Sequence, residues 1–150
     1  MTLVIPPYLL NAIHAHAASS YPDEGAGFIL GTVQDSKRIA RAVLPQANNF
    51  ESSMRRRRYS ISPQDMLQAE REAHAMGLEI IGIFHSHPDH PAMPSEYDRE
   101  HSLPWFLYLI TCVDGGRVIE SRVWRLREDR SAFNEVPFDI ETPIPCKETL

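Results

Sequence analysis

Apolar residues along the chain fall into two spacings, and their alternation lays out the elements. TLVI (2–5) is a short strand. Pro6-Pro7 then opens a helix over about 8–19, with Leu9, Leu10, Ile13 and Ala17 sharing one face. GFILGTV (27–33) and RIARAVLP (38–45) read as strands joined by the polar turn QDSK. QANNFESSMR (46–55) is polar and aperiodic, hence a loop, and RRRYSIS after it reads as a short strand. Ser62-Pro63-Gln64-Asp65 combines an N-cap, a proline at the first helical position and an acid in the first turn. The helix it starts runs to about Met76 and stops at Gly77. EIIGIFH (79–85) and WFLYLITCV (105–113) are nearly continuous apolar runs, predicting strands buried on both faces. A short helix is expected from Ser95. Asp114-Gly115-Gly116 turns the chain back into RVIESRVWRLR as a hairpin partner, and the last twenty residues, with three prolines, read as a peripheral tail. The sum is an α/β domain, a mixed sheet flanked by helices.

Composition narrows the classes. The 150 residues form a single domain by length, with 43% hydrophobic and 23% charged residues. A net charge of −5 gives no general electrostatic case for nucleic-acid binding. Cys112 and Cys146 make neither a disulfide framework nor a C-x-x-C pair, which suits a reducing cytoplasm. MTLVIPPYLL has no basic leader or long apolar stretch, so neither signal peptide nor membrane span is expected.

The chemistry concentrates in HSHPDHPAMPSEYD (85–98). If the strand continues through His85 and His87, the pair projects from one face with Cα atoms roughly 6.6 Å apart, able to converge on one metal. His14 and His16 repeat the H-x-H spacing inside a helical pattern, where they diverge. Two overlays compete for the remaining ligands. H-x-H-x-D-H selects His85, His87, Asp89 and His90, the signature of metallo-β-lactamase-fold hydrolases, but downstream histidine ligands for a second metal are missing. The other selects His85, His87, Ser95 and Asp98. Ser95-x-x-Asp98 is by itself also an ordinary helix start, and Glu24 an ordinary surface carboxylate.

In the second overlay the sequence resembles the JAMM (MPN+) zinc metalloprotease family, whose pattern is an early glutamate followed by H-[ST]-H-P-x6-S-x-x-D. The glutamate is matched by Glu24 in YPDEGAGFILG, where Ala26 stands at a position that is often Cys, and the likeness spans most of residues 1–127. The resemblance implies a cytidine-deaminase-like JAMM/MPN architecture, although the H-x-E and P-C-x-x-C of the deaminases themselves are absent. It also implies one catalytic Zn2+ held by His85, His87 and Asp98, Glu24 as general base and Ser95 as oxyanion donor. The implied activity is peptidase or isopeptidase cleavage after the Gly-Gly tail of a ubiquitin-like protein, in the prokaryotic branch a sulfur carrier. The loop 46–58 is the candidate edge for that tail. Arg55-Arg56-Arg57-Arg58 is either a solvated face or a grip on an acidic carrier. Metal-free MPN members act as scaffolds, the alternative reading, and they lack the ligand set this chain carries.

Overall fold

A computed structural model describes residues 1–48, 50, 54–55 and 58–141. In chain order the elements are β1 (Thr2–Ile5), α1 (Pro7–Ser20), β2 (Ala26–Gln34), β3 (Lys37–Gln46), α2 (Pro63–Ala75), β4 (Glu79–Pro88), α3 (Glu96–His101), β5 (Leu107–Asp114), β6 (Arg117–Leu126), β7 (Phe133–Val136) and β8 (Phe138–Ile140). The strands form one sheet in the order β7-β6-β5-β4-β2-β3-β1-β8. β4 runs parallel to β5, and β1 parallel to β3 and β8, while the remaining pairs are antiparallel. The mixed α/β sheet flanked by helices is therefore the one the pattern predicts.

Two expectations are corrected. Residues 58–62 of RRRYSIS are not in a strand, and Arg56 and Arg57 lie outside the described residues. The segment read as a peripheral tail contributes β7 and β8, and residues 142–150 lie outside the described set. Pro137 alone separates these strands, yet they occupy opposite ends of the strand order. One residue spans less than about 4 Å, so the sheet curls until its two edges nearly meet.

Helices pack on both faces of this curled sheet. Leu9, Leu10 and Ile13 of α1 join Ile29, Ile81, Phe84, Leu109 and Val123 in one cluster. Ala69 and Ala73 of α2 join Phe28, Leu30, Ile80, Ile83 and Tyr108 in the other. Ile80 and Ile83 share a face although three positions apart, because the β2–β4 register shifts between Ile29 and Leu30. Arg38, itself buried, donates from Nη1 to the carbonyl of Ile81 opposite this irregularity. The reset matters for the site, since it aims His85, two residues after Ile83, to the α2 side.

The same region is backbone-tight. A Cβ on Gly31 would lie 2.0 Å from the Ile39 carbonyl oxygen and 2.8 Å from Ile81 Cδ1. Gly31→Ala is expected to cost about 1–3 kcal/mol. Thermal denaturation should show this as a midpoint several degrees lower, and an unchanged midpoint would mean the paired backbones give way freely.

Candidate metal centre

β4 continues through Pro88, so His85 and His87 are two residues apart on one strand and both are buried. β2 begins at Ala26, paired opposite His85, which puts Glu24 at the entry to the neighbouring strand. α3 brings the third element. Ser95 is its N-cap, and the two residues form a capping box in which the Asp98 N–H donates to Ser95 Oγ (3.1 Å) and the Ser95 N–H to Asp98 Oδ2 (2.8 Å). The helix-start reading of Ser95-x-x-Asp98 is therefore correct, and it serves the site by fixing the Asp98 carboxylate. Ser95 Oγ accepts in this box and retains its own proton for donation elsewhere.

The four chemistry-bearing groups converge. His87 Nε2 lies 3.2 Å from Asp98 Oδ2, His85 Nε2 3.8 Å from Asp98 Oδ1, and His85 Nδ1 3.5 Å from Glu24 Oε1. Donor atoms of Glu24, His85 and His87 all fall within 4.8 Å of one another. The imidazole of His85 thus sits between two buried carboxylates, Glu24 on one edge and Asp98 on the other. His87 Nδ1 is paired with the carbonyl oxygen of Pro91 (2.8 Å), leaving Nε2 to point inward. Such an outer partner orients a metal-ligating histidine.

Electrostatics favour a cation here. Burial pulls the pKa of His85 down, but Asp98 and Glu24 outweigh it and the net shift is upward. Burial pushes Asp98 up, yet His85, His87 and the Ser95 N–H hold it well below the usual carboxylate range. Among the described residues, His85 Nδ1 is buried without a hydrogen-bond partner. Two imidazoles, one of them with an unbonded ring nitrogen, and two carboxylates in a buried cluster are a donor set that fits a divalent metal ion.

Three residues that sequence reasoning passed over hold this geometry. The Ser86 N–H donates to the Gly25 carbonyl oxygen (2.9 Å), and Ser86 Oγ accepts from the Gly25 N–H (2.8 Å), tying the loop after Glu24 to the metal strand. Asn48 Nδ2 donates to the carbonyl oxygens of Glu24 (2.9 Å) and Arg58 (2.8 Å), while the Glu24 N–H donates to Arg55 (2.6 Å). Tyr59 stacks on His85, 4.6 Å between ring centroids, and burial drives its phenol pKa well upward. Asn48 lay within the segment that carries the resemblance and Ser86 fills the Ser/Thr position of its pattern, though neither was given a role, whereas Tyr59 gave no pattern of its own.

The remaining candidates are placed as follows. Asp89, at φ 60°, accepts from the Tyr21 hydroxyl (2.8 Å) and the Gly115 N–H (2.8 Å), joining two loops. His90 stacks on His87 at 4.1 Å and its Nδ1 pairs with the Pro88 carbonyl oxygen. His14 and His16 lie on α1, where His14 Nε2 bonds Ser121 Oγ (2.8 Å) and His16 packs edge-on to Phe84. Of the arginine run, Arg55 Nε donates to the Phe50 carbonyl oxygen and Arg58 covers the Tyr97 ring at 4.0 Å.

Comparison with known proteins places the chain in a family. Residues 6–127 match the family described as prokaryotic homologs of the JAB domain. A desampylase of Pyrococcus furiosus is 33% identical over 93% of this chain and 91% of its own. A probable TtuB-protein conjugate cleaving protease of Thermus thermophilus is 32% identical over 78% of this chain and 74% of its own. Among solved structures, a JAB1/MPN domain protein from Archaeoglobus fulgidus superposes with a TM-score of 0.57 at 20% identity, over 94% of this chain and all of that one, a likeness of fold.

Proposed function

The chain belongs to the family of prokaryotic homologues of the JAB domain, and from that premise we propose a zinc-dependent peptidase that cleaves ubiquitin-like protein conjugates after a Gly-Gly tail. The observation that carries the reading is the buried convergence of His85, His87, Asp98 and Glu24 beside the capped start of α3. A scaffold has no need of such a set, and relatives named as a desampylase and a conjugate cleaving protease fit an enzyme.

His85, His87 and Asp98 hold the ion in this reading. When bound, zinc supplies Lewis acidity and brings the pKa of a water towards about 7. Glu24 takes the proton of the attacking water and returns it to the leaving amine. Its backbone is clamped by Asn48 and Arg55, so the carboxylate needs little reorganisation between the two transfers. The Ser95 hydroxyl, whose oxygen is already held by the Asp98 N–H, donates to the oxyanion that forms on the scissile carbonyl, worth roughly 3 kcal/mol. Burial of the cluster strengthens each of these interactions.

The carrier tail lies extended along a strand edge. Among the described residues, β1 pairs with β3 only as far as Ile39, so the outer edge of the remainder of β3 is the candidate. This edge leads into the 46–58 loop, of which 49, 51–53 and 56–57 lie outside the described residues. Within these 150 residues one domain carries the reaction. Its setting is the cytoplasm, consistent with a free, buried Cys112. No helix of the described residues is long and apolar enough to cross a membrane.

The test is intact mass spectrometry of a ubiquitin-like carrier extended beyond its Gly-Gly, incubated with zinc-loaded protein. The expected product ends at the second glycine, and a carrier returned unchanged would contradict the reading.

A further inference from the structure

A cavity of about 240 Å³ adjoins the metal cluster and takes no part in the chemistry described so far. It shares two walls with the cluster. Asp98 lines it, and so does Tyr59, the ring that stacks on His85. The rest of its surface comes from Ile61, Met66, Ile83, Tyr97 and Tyr108 among others. The volume is below the roughly 300–1,000 Å³ of sites for whole small molecules, and suits a single side chain.

Two polar groups of this wall are engaged within the fold. The Tyr108 hydroxyl accepts from the Leu103 N–H (2.8 Å), and His101, stacked on Tyr97, pairs its Nδ1 with the Tyr97 carbonyl oxygen. Aromatic rings and the aliphatic carbons of Ile61, Met66, Ile83 and Leu103 make up the larger part of its surface, beside the polar groups of Ser60, Asp98, His101 and Ser102. Asp98 is part of the lining, and the Arg58 guanidinium lies over the ring of Tyr97, another lining residue. A charged side chain must shed water to enter.

Resting on the peptidase reading above, we propose that this cavity binds the side chain immediately after the scissile bond and selects apolar residues there, with leucine and phenylalanine as the favoured class. Two glycines before the bond present no side chain, so the recognition pocket nearest the ligands serves the leaving side. Specificity of this kind acts through fit: a pocket of this type discriminates by about 10–200-fold per methylene gained or lost.

The experiment uses zinc-loaded wild-type protein and carriers ending Gly-Gly-X, with X as Leu, Phe, Ala, Asp or Lys. Leu and Phe are expected to exceed Ala in kcat/KM by about 10–100-fold, with Asp and Lys below Ala. Ile61→Trp, which fills the cavity, should collapse the Leu-to-Ala ratio towards one. If that variant does not fold, Met66→Ala, which enlarges the cavity, should move the preference from Leu towards Phe. Equal rates for all five tails, or a preference set instead by the residue before Gly-Gly, would overturn the pocket while leaving the peptidase intact. If no tail is cleaved, calorimetric binding of the same tails to the Glu24→Gln protein separates the two ideas. Tighter binding of Leu than Ala keeps the pocket and sinks the peptidase reading, and equal binding overturns the pocket as well.

Discussion

Glu24→Gln should bind its metal like the parent and lose turnover by about 10²–10⁴-fold, equivalent to some 3–5 kcal/mol of transition-state stabilisation. The change is isosteric and leaves the backbone clamps from Asn48, Arg55 and Ser86 in place, so the fold is expected to persist. This prediction separates two assignments that distances alone leave adjacent. Glu24, His85 and His87 lie within 4.8 Å of one another and form a ligand trio on geometry. Asp98 approaches Nε2 of both histidines and forms another. Nδ1 and Nε2 stand on opposite edges of one imidazole, so His85 as oriented serves one carboxylate's side or the other. In the proposed mechanism the ion lies on the Asp98 side and the proton goes to Glu24. Metal content of purified Glu24→Gln beside its kcat checks the division, and loss of metal on this substitution would make Glu24 a ligand.

Asp98→Ala has the second large effect, and its signature is the reverse. Removal of a direct ligand should weaken metal affinity by more than the roughly 10–100-fold that loss of an outer-shell partner costs. Turnover then falls because the site empties, and excess metal should restore part of it. The same substitution removes half of the capping box on α3, so a stability loss of about 0.5–1 kcal/mol accompanies it. Asp89→Ala and His90→Ala are the controls. Asp89 is engaged by Tyr21 and Gly115, and His90 lies against His87, so neither change should empty the site. Retention of metal by Asp98→Ala with loss in the Asp89 or His90 variant would return the assignment to the H-x-H-x-D-H pattern. Equilibrium metal binding on all three variants decides it.

How far the sequence spoke depended on whether a feature was periodic. EIIGIFHSHP announced a buried strand through its apolar run, and the period of two put His85 and His87 on one face, as β4 has them. The irregularity at Ile81 was not legible, because a register shift depends on the partner strand, and it is what turns His85 to the α2 side. Ser95 and Asp98 were readable as a helix cap from local chemistry, and that cap is present. Glu24 sits in a loop, where spacing carries no information, so only resemblance pointed to it. Tyr59 was taken as part of a strand and is instead in an irregular segment with its ring on His85. FNEV and FDI looked like tail because their side chains are mostly exposed and Pro137 interrupts them. They are edge strands, which need only one partner and tolerate a proline between them.

The most direct test strips the wild-type protein of metal with a chelator, then titrates zinc back while following bound zinc and hydrolysis of a Gly-Gly-linked conjugate together. The account predicts no turnover in the stripped protein and a rise that tracks occupancy, levelling at one zinc per chain. Turnover that survives stripping, or that fails to return with one bound equivalent, would contradict it.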